Sequence, residues 1–156
     1  MPVDKVYFHT SFFYGEIKTD RFRDLATFDP SVQEDFQHLE CIYNFADDIL
    51  EGVHVAGKNV YNEGKAYEAC KAAHYHSGPY TDLNYTTSHI SQANKCGARS
   101  GAAIHYCWKG NKNEIIILGY SPIKHDDPFP QLHHKNNPLR PRLKLVYNNG
   151  ELVNYE

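Results

Sequence analysis

Two apolar runs separated by five polar residues constrain this chain more than any other feature. Residues 102–108 and 114–120 are rich in β-branched and aromatic side chains, and Lys109-Gly110-Asn111-Lys112-Asn113 between them has the composition of a hairpin connection. Along the first run, alternation places Ile104, Tyr106 and Trp108 on one face and His105 with Cys107 on the other. That pattern leaves open which face meets the core. The second run continues into Ser121-Pro122-Ile123-Lys124-His125-Asp126-Asp127-Pro128-Phe129, which sets His125 in charged surroundings just past a strand end.

The flanking sequence supplies helices on one side and strands on the other. Residues 3–14 read as an initial strand, with Val6, Phe8 and Thr10 on one parity. Asp29-Pro30 reads as a helix start, Asp as N-cap and Pro where its missing N–H costs nothing. Val32, Phe36, Leu39, Ile42 or Tyr43, Ala46 and Ile49 then recur at three- and four-residue spacing up to Gly52. A second helix is expected over 62–73, with Tyr67, Cys70 and Ala73, or Ala66 and Ala69, as its buried stripe, stopped by Ser77-Gly78-Pro79. Strands are expected at 85–92, in the hairpin, and at 143–147 and 151–155 around Asn148-Asn149-Gly150. The expected class is α+β, with N-terminal helices packed on an antiparallel sheet of four to five strands. At 156 residues and 41% hydrophobic the chain suits a single domain spanning 1–156.

Charge divides the chain. Residues 1–79 carry seven Lys/Arg against thirteen Asp/Glu, whereas residues 80–147 carry nine against four, so the net charge of −3 hides an acidic helical part and a basic strand-rich part. A basic face of this kind suits a phosphate backbone. No run approaches the roughly 18 to 20 apolar residues of a membrane span, and the N-terminus lacks the layout of a signal peptide, so the expectation is a cytoplasmic protein without membrane partners. Cys41, Cys70, Cys96 and Cys107 form no Cys-x-x-Cys pair and are expected to be free buried thiols.

Ten histidines include His74, His76, His89, His105, His125, His133 and His134, and histidine both gives and takes protons near neutral pH. His74-x-His76 can share a strand face, with no third zinc ligand apparent; His133 and His134 are adjacent and point apart. The run Arg99-Ser-Gly-Ala-Ala-Ile-His-Tyr-Cys-Trp, a turn, and Glu114-Ile-Ile-Ile-Leu-Gly-Tyr-Ser-Pro-Ile-Lys-His125 resembles the core hairpin of the RelE-type superfamily of messenger-RNA-cleaving bacterial toxins. His125-Asp-Asp-Pro-Phe129 is similar to the His-x-x-x-Phe ending of the YafQ branch, and His89-Ile90-Ser91 resembles the motif ahead of the arginine in the YafQ and YafO branches. The likeness covers about residues 85–130. It implies an endoribonuclease needing neither metal nor cofactor, with His125 as general acid or base and Arg99 stabilising phosphate charge. His89 would be a second proton-transfer or phosphate-orienting group, and Lys95, Lys124 and Phe129 would bind RNA. Ribosome-bound message and a protein antitoxin are the partners it implies. Cutting RNA through its own 2′-hydroxyl needs a base, an acid and a cation beside the phosphate, and these residue types provide them.

Two other readings compete. Two-histidine phosphoesterases, acting on cyclic or 2′-5′ nucleotides, carry two His-x-Ser/Thr motifs on adjacent central strands about 80 residues apart, and this chain has His9-Thr10-Ser11 and His89-Ile90-Ser91. A non-enzymatic interaction module, of phage-accessory, immunity or antitoxin type, would use the twelve tyrosines, Tyr75, Tyr80 and Tyr85 among them.

Overall fold

In the computed structural model, which describes residues 3–62, 65–111, 113–123 and 137–155, six strands form one mixed sheet. In chain order the elements are β1 (Lys5–His9), α1 (Thr10–Phe13), α2 (Gln33–Glu51), β2 (Asn59–Tyr61), α3 (Lys65–Cys70), β3 (Ala72–Tyr75), β4 (Ala103–Lys109), β5 (Glu114–Ser121) and β6 (Leu152–Tyr155). Strand order is β2-β3-β4-β5-β1-β6. The class is α+β. Relative to expectation the sheet has six strands rather than four or five, and β1 runs parallel to β5, with Lys5 opposite Glu114 and Phe8 opposite Ile117. The remaining pairings are antiparallel.

The hairpin forms the middle of this sheet. Ile115, Ile116, Ile117, Leu118 and Tyr120 are all fully buried, because β5 has a layer on each face and therefore reads as continuous apolar sequence. On one face Val6, Phe8, Ile104, Tyr106, Trp108, Ile115, Ile117 and Tyr120 meet Ile42, Phe45, Ala46 and Ile49 of α2. On the other, Cys107, Ile116 and Leu118 lie under Tyr7, Leu143, Tyr147 and Leu152. Both faces of β4 are therefore core, which resolves the ambiguity of its alternation. A bulge leaves Leu118 without an opposite residue: His105 faces Gly119 while Tyr106 faces Ile117.

The long helix ends where expected, at Gly52, whose φ of 75° is the left-handed C′ conformation glycine adopts without strain. Its start is later than Asp29-Pro30. Asp29 instead closes a turn on Ser31, accepting from its amide at 2.9 Å and its hydroxyl at 2.7 Å, and the helix begins at Gln33. Its buried stripe at the N-terminal end is Asp35 and His38, with Phe36 47% exposed. Asp35 is held by both terminal nitrogens of Arg23, at 2.9 and 2.8 Å, and His38 Nδ1 lies 2.6 Å from the buried Tyr120 hydroxyl.

Other expectations are corrected. The strand predicted over 3–14 stops at His9, whose Nδ1 accepts from the Ser11 amide (3.1 Å) and so caps α1. The helix predicted over 62–73 is shortened to α3: Lys71, at φ 55°, turns the chain, and Ala72–Tyr75 pairs with β4. Residues 85–92 form an irregular connection with a single bridge, Ser88 to Val55, rather than a strand. Residues 143–147 are likewise not a strand, and Asn148-Asn149-Gly150 opens a 3-10 turn over Asn149–Glu151 instead of a hairpin, its Asn148 amide donating to Glu151 Oε1 at 3.1 Å. β6 pairs with β1. The four cysteines are free; Cys70 and Cys107 are buried, Cys41 is half-buried, and Cys96 is exposed against expectation. No helix among the described residues is long and apolar enough to cross a membrane.

Candidate functional site

The sheet gathers histidines at one end. His74 on β3 stands directly opposite His105 on β4, so the two share a face, and His76 follows on the same parity just beyond β3. Ring centroids are 5.4 Å apart for His74 and His76 and 6.3 Å for His74 and His105. Each ring is oriented by a polar neighbour. His74 Nδ1 lies 2.7 Å from Asn62 Oδ1, His76 Nδ1 2.7 Å from the Ser100 carbonyl oxygen, and His105 Nε2 2.7 Å from Ser121 Oγ. A carbonyl only accepts, so His76 carries its proton on Nδ1 when neutral and keeps its lone pair on Nε2.

The Ser100 contact brings the tract to Arg99. Arg99 is exposed, with 73% of its side chain accessible, and its Nε stands 3.7 Å from Asp82 Oδ2. Its carbonyl accepts from the Thr81 amide at 2.9 Å, while Ser100 Oγ accepts from the Gly78 amide at 3.1 Å and donates to the Ala102 carbonyl at 2.6 Å. Backbone and side chain around Arg99 are thus fixed while the guanidinium faces solvent. At the same end of the hairpin, Gly101 lies against the chain leaving β5: a Cβ at this position would sit 2.3 Å from the Ile123 carbonyl oxygen, so only glycine permits the approach. His125, Lys124 and Phe129 lie outside the described residues.

His89 occupies a different place. It is half-buried in the 76–102 connection, its Nδ1 2.9 Å from Ser91 Oγ and accepting from the Ser91 amide at 3.3 Å. The adjoining Ile90 carbonyl accepts from Asn59 Nδ2 at 3.2 Å, which fixes this turn against β2. His89 is thus held within its own turn, whereas Arg99 pairs with Asp82. Lys95 is exposed in the same connection. His9 ends β1, and three strands lie between β1 and β2 in the sheet, a lateral separation of roughly 19 Å. The two His-x-Ser motifs therefore do not occupy adjacent strands, although both histidines accept from the amide two residues on.

His9 belongs to a second polar group beneath the C-terminal segment. Its ring meets the edge of Tyr147 at 5.9 Å, and its Nε2 is buried with no hydrogen-bond partner among the described residues. Burial and the nearby Arg142 and Lys144 cations, only partly offset by Glu151, lower its pKa to about 4. Arg142 is itself buried, donating to the Leu118 carbonyl at 2.8 Å and pairing with Asp24 at 2.9 Å. Burial still pushes the Asp24 carboxyl above its usual range despite that partner.

His74, His76 and His105 have no assigned role in the sequence alone. Their signal there is the two-residue spacing of the first pair and the alternation of β4, and only the β3–β4 register joins them. Among the described residues no group of three or more His, Cys, Asp or Glu side chains is arranged to hold a metal ion. Compared with known proteins, the chain matches no family model, no curated protein and no solved structure.

Proposed function

We propose that this protein is a metal-independent endoribonuclease that cleaves RNA by attack of its own 2′-hydroxyl. The observation that carries this reading is the shared end of the β4–β5 hairpin: Arg99 precedes Gly101 by two residues, and Gly101 abuts Ile123, which stands two residues before His125 in the sequence. An exposed guanidinium on a fixed backbone suits charge building on a phosphate. In the reaction the 2′-oxygen bonds to phosphorus and the 5′-oxygen leaves, giving a 2′,3′-cyclic phosphate and a 5′-hydroxyl. One histidine takes the 2′-hydroxyl proton and another delivers a proton to the leaving oxygen. His125 and His89 are assigned these roles, His76 is a positioning residue holding the Ser100 carbonyl, and Lys95, Lys124 and Phe129 bind the strand.

The basic balance of residues 80–147 supports an RNA substrate, messenger RNA in particular, with a protein antitoxin as regulator. The test is cleavage of a mixed-sequence RNA by the parent, Arg99→Ala and His125→Ala, with thermal unfolding measured on each. Loss of at least about 100-fold in both, at unchanged unfolding midpoint, is expected; equal cleavage by both variants overturns the assignment.

A further inference from the structure

A cavity of about 340 Å³ lies between α2 and the segment that leaves β3, within the range of small-molecule sites. Asp48 and Phe45 of α2 line one side, and Tyr75, Ser77 and Tyr80 line the other, with His54 at the rim. Its wall is laced to the proposed phosphate site, since the Gly78 and Thr81 amides bond to Ser100 Oγ and the Arg99 carbonyl.

We propose that this cavity is a base-selection pocket that takes guanine. The choice of a nucleobase rests on the RNA-cleaving reading; the choice among bases rests on the donors and acceptors the pocket presents. Asp48 is a half-buried carboxylate, crowded by Asp47 and Glu51 and raised in pKa first by burial, so it gains when two N–H donors reach it together. Guanine alone offers two adjacent donors, N1–H and N2–H, on its Watson–Crick edge. Adenine and cytosine present a ring acceptor there, which the carboxylate repels, and uracil presents one donor between two carbonyls. Single-stranded RNA exposes these edges for such readout.

Two features supply the remainder of the site. Ser77 is 7% exposed and lines the cavity, with its side chain against the Tyr120 hydroxyl. A hydroxyl both donates and accepts, so one lining the cavity can also meet a ligand's polar edge. The aromatic wall is rigid: Phe45 and Tyr75 stack at 4.7 Å, and the Tyr75 hydroxyl, itself accepting from the Gly57 amide, lies 3.0 Å from that of Tyr80. Phe45 and Tyr75 are nearly fully buried against each other, so the half-buried Tyr80 is the ring of this wall left for a flat base to meet.

The experiment is equilibrium binding of guanosine, 5′-GMP, 5′-AMP, 5′-CMP, 5′-UMP and free arginine to the full chain by calorimetry. Expected results are at least tenfold tighter binding of GMP than of the other nucleotides, a tenfold loss with Asp48→Asn, and a shift of that variant toward AMP, whose N1 acceptor and N6–H donor match an amide. The shift is a gain that misfolding cannot produce. Arg99→Ala should weaken GMP binding and leave guanosine, which lacks the phosphate, unchanged. Absence of base preference, insensitivity to Asp48→Asn, or arginine binding as tightly as GMP would overturn the pocket. Guanine binding through Asp48 in a protein that cuts no RNA overturns the cleavage reading and upholds the pocket; cleavage indifferent to base does the reverse.

Discussion

His76 Nδ1 donates to the Ser100 carbonyl oxygen across 2.7 Å, tying the segment that leaves β3 to the residue beside Arg99. One hydrogen bond thus links a row of three oriented imidazoles to an exposed guanidinium. Catalysis by the proposed route depends on that link and on the neighbouring approach of Gly101 to Ile123.

Arg99 is predicted to matter for rate and not for stability. Its contact with Asp82 is solvent-exposed and 3.7 Å long, a pair of the kind worth about 0–1 kcal/mol. Arg99→Ala should leave the denaturation midpoint within error and reduce single-turnover cleavage about 100- to 1,000-fold, with Arg99→Lys intermediate because a point charge lacks the planar fork. Single-turnover kinetics alongside chemical denaturation checks both halves.

Gly101→Ala is predicted to separate activity from folding. The added methyl would fall 2.3 Å from the Ile123 carbonyl oxygen, so the two chain ends must part. A stability loss of about 1–3 kcal/mol and a cleavage loss of at least tenfold at a temperature where the variant is fully folded are expected. Cleavage at the parental rate in a folded variant would show that the approach of these ends is irrelevant to catalysis.

Part of the fold is legible in the amino-acid sequence, and the limits have physical causes. The hairpin is readable because β5 is apolar on both faces and its connection is polar, and Gly52 marks the helix end by its conformational freedom. The N-terminal face of α2 misleads because its buried members there are Asp35 and His38, polar residues that an apolar periodicity does not register until Arg23 and Tyr120 are seen to satisfy them. Residues 72 and 73 look helical because alanine favours helix locally, whereas the pairing of Ala72–Tyr75 with β4 decides the matter at long range. The same long-range register hides the histidine tract. Arg99 is legible as a candidate, and its tie to His76 is not.

Acid should weaken the fold through His9. Burial, with Arg142 next in importance, lowers its pKa to about 4 against an ordinary 6.5, so between those values the unfolded chain binds the extra proton. The contribution is complete above about pH 6.5, declines as pH falls toward 4 and is constant below, amounting to about 3 kcal/mol at most. His9→Asn keeps a capping acceptor and removes the titration, so the stability difference between pH 7.5 and pH 4.5 should shrink. It should not vanish, because burial also lowers the His38 pKa. Urea denaturation at the two pH values measures this directly.

Arg142 and Asp24 should behave as a coupled buried pair. Removing only the arginine leaves a 2% exposed carboxylate without its cation and should cost about 3–5 kcal/mol. Since burial already outweighs Arg142 in setting the Asp24 pKa, a double replacement, Arg142→Met with Asp24→Leu, should recover much of that loss. A double-mutant cycle in guanidinium chloride gives the coupling.

The most direct test of RNA cleavage through the 2′-hydroxyl is the chemistry of the cut ends. RNA and a matched strand lacking 2′-hydroxyls are incubated with the purified protein in excess chelator, and the termini are identified by mass spectrometry. The predicted result is 2′,3′-cyclic phosphate and 5′-hydroxyl ends from RNA, no cleavage of the deoxy strand, and no cleavage by Arg99→Ala. Intact RNA, 5′-phosphate ends, or equal cutting of the deoxy strand would contradict it.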